Sequence, residues 1–281
     1  MKRTKGRILI REIVSNPMGI LSLAILVVLI VASILAFLSS YDPNALDVTQ
    51  RLHAPSGSHW FGTDDYGRDY FTRALYGGRV SLLVGFASMI LATVIGVGVG
   101  IVSGYFGGWI DNLLMRLLEI ILSIPSFLVI LLLSVMLKPN LASIVLIIGS
   151  LMWMHMARII RAETLAIRER EYVLYAKSSG QSNFGIIVRH IIPGLVPVIV
   201  VGATNNVASA IMMESSLSFL GFGVQPPNAT WGSMLNGAQG FVTQAPYMAL
   251  FPGALILLTV LSFNVLGDLL RVGLEPKLGK R

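Results

Sequence analysis

Residues 18–40 read MGILSLAILVVLIVASILAFLSS, an unbroken run without Asp, Glu, Lys or Arg. About 20 such residues in a helix cross the hydrocarbon core of a bilayer, so the run predicts a transmembrane helix. A cleaved signal peptide would carry a shorter apolar core and a small-residue cleavage site, and the run is therefore expected to remain as the first crossing. Working outward, comparable runs fall at 80–105, 113–137, 141–160, 194–217 and 247–266. The expected fold is all-α and integral to the membrane, with six transmembrane helices.

Composition narrows the function. Of 281 residues 54% are hydrophobic and 12% charged, with a mean hydropathy of +0.76, and a soluble domain carries about twice that charge. A water-soluble enzyme is excluded. Any large energy-converting domain is expected on another chain. The absence of cysteine removes disulfides, thiolate metal sites and thiol catalysis. Nucleic acid would require a basic face with stacking aromatics, and no such stretch is present.

The net charge of +7 is instead topological. Segments 1–17, 158–193 and 268–281 contain 15 of the 21 Lys and Arg residues. The positive-inside rule therefore predicts a cytoplasmic basic amino terminus (1–17), a cytoplasmic loop (158–193) and a cytoplasmic tail (268–281). Segment 41–79 is then external, and 80–267 forms a five-helix core. The external connection 217–247 has no charge, which suits a surface pressed against the membrane or a partner.

Glycines 96, 100, 104 and 108 repeat every fourth residue and form a smooth ridge for close helix packing. Pro125 interrupts the third crossing and predicts a kink. In the external segment, Thr63 reads as the cap of a short amphipathic helix, with acid-before-base pairs Asp64/Arg68 and Asp69/Arg73 four residues apart and an end at Gly77 and Gly78. Interleaved arginines favour salt bridges over a metal among Asp64, Asp65 and Asp69, and His53 and His59 lack a third ligand at metal spacing. No metal site is expected. Trp60, Trp109, Trp153 and Trp231 fall near crossing boundaries, where indoles anchor, and His155 reads as packed or interfacial.

The cytoplasmic loop carries the functional signal. Leu165, Tyr172 and Ala176 share one side of a predicted helix, Gly180 permits a turn, a second helix starts at Asn183, and Pro193 breaks the chain before the fifth crossing. A helix, a turn and a second helix projecting from two crossings make a lever on which a cytoplasmic partner can push.

Glu171-Tyr172-Val173-Leu174-Tyr175-Ala176-Lys177-Ser178-Ser179-Gly180, followed by Ile191-Ile192-Pro193, resembles the Glu-Ala-Ala loop of permease subunits in ATP-binding-cassette importers. Here Leu174, Tyr175 and Ala176 hold the triplet positions and only the final Ala matches; the nearest acid is Glu171. His59-Trp60-Phe61-Gly62-Thr63-Asp64-Asp65-Tyr66-Gly67-Arg68-Asp69 and Glu214-Ser215-Ser216-Leu217-Ser218-Phe219-Leu220-Gly221-Phe222-Gly223 are similar to the second, C-type permease of dipeptide, oligopeptide and nickel importers. So is the ending Phe251-Pro252-Gly253 through Phe263-Asn264-Val265-Leu266-Gly267-Asp268 to Glu275-Pro276-Lys277-Leu278.

The resemblance implies a type I importer permease in a prokaryotic inner or plasma membrane. It implies pairing with a homologous second permease, two ATPase subunits below that hold ATP and Mg, and an extracytoplasmic substrate-binding protein. It also implies docking of the loop carrying Glu171, Tyr172, Tyr175, Ala176, Gly180 and Pro193 on an ATPase. Cargo would be di- or oligopeptides, with nickel or another small solute as the alternative. The chain itself offers no nucleotide site, since 273–280 fails the phosphate-loop pattern, and no cofactor is expected on it.

Charges inside the bilayer usually mark function, and an ion-coupled carrier would be expected to place them near the midplane. Arg116 and Glu119 lie at the inner end of the third crossing, Glu214 at the outer end of the fifth and Asp268 at the inner end of the sixth, so the midplane is uncharged. That weighs against a stand-alone secondary carrier or channel. Ser126, Thr204, Asn205 and Asn206 are the expected polar lining of a mostly neutral passage, with interhelical hydrogen bonding as their competing role.

Overall fold

A computed structural model describes residues 12–137 and 140–274. The basic residues Lys2, Arg3, Lys5, Arg7 and Arg11, Lys138 and the tail 275–281, including Glu275-Pro276-Lys277-Leu278, lie outside the described residues. Helix α1 spans Pro17–Ile34, with Asn16 Oδ1 accepting from Met18 N at 2.9 Å and Pro17 in the first turn, where its missing N–H costs nothing.

Helix α2 spans Tyr70–Phe106 and starts from Asp69, whose carboxylate accepts from Thr72 N at 2.8 Å. At 37 residues it is about 55 Å long, well over the hydrocarbon thickness. This corrects the expectation of a separate external helix. Residues 63–68 form a folded loop, Asp69 rather than Thr63 is the cap, and Gly77 and Gly78 lie inside α2, where a Cβ would meet Thr230 and Trp231. They are contact positions, not stops.

Helices α3 (Gly108–Leu122) and α4 (Ser126–Met136) meet at 77°. The expected kink at Pro125 is thus a break, because Pro125 has no N–H to continue the ladder. Helix α5 is Leu141–Arg168, started by an Asn140/Ser143 capping box, and α6 is Glu171–Ser178. Helix α7 runs over Asn183–Phe219, α8 is Trp231–Ala238 and α9 is Tyr247–Leu274. Among the described residues five helices are long and apolar enough to cross a membrane, or six when α3 and α4 count as one bent span.

The fifth crossing does not stop at Pro193. Residues Ile187–Ile191 widen into a π turn in which Ile192 N donates to Ile187 O. The wider turn absorbs the proline, and the helix continues.

The glycine ridge packs α2 on α5. A Cβ on Gly96 would lie 2.8 Å from Trp153 O, one on Gly100 2.7 Å from Ala157 O, and one on Gly104 2.8 Å from Arg161 O. Gly108 is not part of this ridge: nothing lies within 4 Å of its Cβ position, and it opens α3 with φ +57. At the end of the bundle away from α6, α2, α7, α8 and α9 close over Leu82, Val207, Ile211, Trp231 and Phe263. Trp231 is 1% exposed and its Nε1 donates to Ala74 O at 2.9 Å, so it is a core residue rather than a boundary anchor. Trp60 and Trp109 are exposed.

Candidate functional site

The connection between α5 and α7 contains the short helix α6. Glu171 stands in its first turn and Lys177 in its last, each favourable at that end of the helix dipole. After α6 the chain reverses at Gly180, with φ +76, a conformation that costs other L-residues; Gln181 N donates to Ala176 O at 3.1 Å.

The buried side of α6 carries Val173 and Ala176, packed with Ile101, Ile167, Ile186 and Ile191. Leu165 and Tyr172 do not share that face. Leu165 belongs to α5, which ends at Arg168, and Tyr172 is exposed. The structure thus replaces the expected Leu165, Tyr172 and Ala176 stripe with Val173 and Ala176, because the helix break at 169–170 resets the register.

The outward side of α6 presents Tyr172, Leu174 and Tyr175, and Phe184 stands beside it at the start of α7. Tyr175 and Phe184 are each 77% exposed. Glu171, Tyr172, Tyr175, Ala176 and Gln181 border an open cleft of about 790 Å³, closed on the far side by His190. Pro193 is three residues beyond His190 of this cleft, within α7.

The expected path residues do not form one group. Thr204 Oγ1 donates to Val200 O on its own helix at 2.9 Å. Asn206 is partly buried, with an Nδ2 that has no hydrogen-bond partner among the described residues. Asn205 is exposed and faces a cavity of about 330 Å³ with Glu163, Gly202 and Arg271. Ser126 begins α4, half-buried, away from that cavity.

A second cavity, of about 380 Å³, is lined by Phe127, Ser209, Met212, Ser216 and Asn264. Ser209, Ser216 and Asn264 are absent from the sequence-based set. For Ser209 and Ser216 the signal was the spacing 205, 209, 212 and 216 on α7, which repeats a single helix face; Asn264 lies on α9 and shares no such pattern.

Glu214 lies five residues before the end of α7, at the end of the crossing where the sequence placed it, and it is buried. It is 0% exposed, with Ser81 Oγ donating to Oε2 at 3.0 Å and Ser218 Oγ to Oε1 at 2.6 Å. Trp231 N donates to Ser81 Oγ at 3.3 Å, so the carboxylate ties α2, α7 and α8 together. By contrast Arg116 and Glu119 pair at 3.3 Å on the exposed face of α3.

In the loop before α2, Asp64 accepts from Arg68 Nε at 2.7 Å and from the backbone N of Tyr66 and Arg68, and Arg73 Nε lies 3.5 Å away. Asp69 pairs with His59 Nδ1 at 2.8 Å, not with Arg73. Burial, reinforced by neighbouring Asp64, raises the Asp65 carboxyl above its usual range. Among the described residues no group of three or more His, Asp or Glu could hold a metal ion.

Comparison with known proteins adds the following. Residues 96–280 match the family described as binding-protein-dependent transport system inner membrane component. Residues 5–55 match the N-terminal transmembrane domain of oligopeptide transport permease C. The chain is 39% identical over 269 residues to a dipeptide transport system permease protein of Alkalihalophilus pseudofirmus, covering 95% of this chain and 88% of the relative. It is 38% identical over 278 residues to the probable D,D-dipeptide transport system permease protein of Escherichia coli, covering 99% and 93%. With the oligopeptide transport system permease protein of Bacillus subtilis it shares 39% identity over 267 residues, covering 95% and 88%.

Proposed function

The chain belongs to the family of binding-protein-dependent transport system inner membrane components, and from that membership and the geometry of α6 we propose that it imports peptides as half of an ATP-driven translocation path. It is a multi-pass inner-membrane permease and not an enzyme. Di- or oligopeptides are the proposed cargo, supported by the names of its relatives. A homologous second permease supplies the other half of the path, an extracytoplasmic binding protein delivers peptide, and two ATPase subunits, holding ATP and Mg, sit on the cytoplasmic side together with both termini.

The observation that carries this reading is the outward side of α6. Tyr172, Leu174, Tyr175 and Phe184 are exposed on the connection that the distribution of basic residues assigns to the cytoplasm. A protein surface in water rarely leaves such a cluster uncovered. Aromatic side chains of this kind dominate binding energy at protein interfaces. The cleft beside them gives a partner something to enter.

Cysteine at position 175 tests it, since the chain has no other cysteine. In the assembled complex, Tyr175→Cys should cross-link to an ATPase subunit. A cross-link to the second permease or to lipid alone would overturn the assignment.

A further inference from the structure

Beneath α6, polar contacts join the inner ends of α2, α3 and α5. Asp111, in the first turn of α3, is 9% exposed and takes both arms of the Arg161 guanidinium: Nε donates to Oδ1 at 2.5 Å and Nη2 to Oδ2 at 2.6 Å. Ser103 Oγ of α2 also donates to Asp111 Oδ1. One helical turn pair further along α5, Arg168 Nη1 donates to the carbonyls of Gly104 (3.3 Å) and Tyr105 (3.1 Å). These carbonyls end α2 and would otherwise lack partners. Tyr105 OH in turn donates to Asn183 Oδ1 at 2.9 Å at the foot of α7.

A two-armed arginine–carboxylate contact fixes orientation as well as distance. Combined with the close backbone approach at Gly100 and Gly104, it leaves α2 and α5 little freedom to slide. The chain passes directly from α6 to α7 through a glycine turn with nothing within 4 Å of its Cβ position and then a π turn, and α6 also packs on Ile186 and Ile191 of α7.

We propose that Asp111, Arg161 and Arg168 are positioning residues that lock the inner ends of α2, α3 and α5 into one rigid lever with α6, so that movement imposed at α6 reaches the crossing helices through α2 and α5. This rests on the reading of α6 as the ATPase contact.

The test uses the complete transporter in liposomes, with peptide imported per ATP hydrolysed as the readout. Yield of the Tyr175→Cys cross-link is followed in parallel. Asp111→Asn and Arg161→Gln each remove one partner of a partly buried pair and should each lower the ratio, with the cross-link retained. The exchanged pair Asp111→Arg with Arg161→Asp should recover most of the loss, the signature of direct coupling between two sites. Arg161→Lys keeps the charge but not the two-armed geometry, should assemble, and should show a partial loss. Arg116→Gln with Glu119→Gln removes the exposed pair on α3 and should change nothing.

An unaltered ratio in Arg161→Lys and in the single variants would overturn the proposal. So would an exchanged pair no better than either single variant. Absence of the cross-link in the otherwise wild-type complex would strike the α6 reading instead, which separates the two failures.

Discussion

Gly98 and Gly100 are two positions apart on α2 and meet different surroundings. A side chain at Gly100 would strike the backbone of α5 at Ala157, whereas nothing lies within 4 Å of the Cβ position at Gly98. Gly100→Leu should therefore destabilise the protein by about 1–3 kcal/mol, the usual cost of overpacking, and Gly98→Leu should not; thermal unfolding in detergent reads the difference. Asp65 gives a pH prediction. Its carboxyl is raised above the ordinary 3.8, first by burial and then by Asp64, so the folded loop before α2 binds this proton more tightly than the unfolded chain. The stabilisation is fully present below the unfolded value and is lost as pH rises through the raised one. Asp65→Asn should flatten that dependence in hydrogen exchange of residues 47–69. The ridge at 96, 100 and 104 was legible because small residues at helical spacing have one common use. The burial of Glu214 was not, because its hydroxyl donors Ser81 and Ser218 come from two helices and one of them is far away in sequence.

At the scale of the element, α6 is held by its buried side and ended by Gly180. A β-branched residue there must adopt φ +76, at a cost of about 1–3 kcal/mol, or shift the turn. Gly180→Val should abolish ATP-dependent uptake while the complex still assembles, and normal uptake by that variant would contradict the lever. Gly180 could be read from sequence because its requirement is local. The boundaries around it could not. Charges four residues apart suggested a helix over 64–76, yet Asp64 and Arg68 reach the same pairing from a loop, where Asp64 also accepts two backbone N–H groups. Pro193 looked like a stop, but the π turn at Ile187–Ile191 carries the helix past it. In both places the deciding contacts are tertiary or depend on a rare helix geometry.

For the whole molecule, hydropathy identified the crossings, and the structure shows that two of them extend well beyond the apolar runs: α2 and α7 are each 37 residues. The extra turns are the parts that project, α2 into the loop segment before Tyr70 and α7 towards α6. Sequence similarity over nearly the full length of the chain agrees with this architecture. The cavity at Ser209, Ser216 and Asn264 is lined by uncharged residues of α7 and α9 together with Phe127 of α4. Double replacement of Ser209 and Asn264 by leucine should lower peptide flux without changing assembly, because it narrows a polar-lined cavity; an unchanged uptake rate would remove that face from the path.

Uptake of a labelled dipeptide into proteoliposomes tests the central claim most directly, comparing this chain alone with the full set of second permease, ATPase subunits and binding protein, with and without ATP. Uptake is expected only from the full set and only with ATP. Concentrative uptake by the chain alone, or by the full set without ATP, would contradict the account.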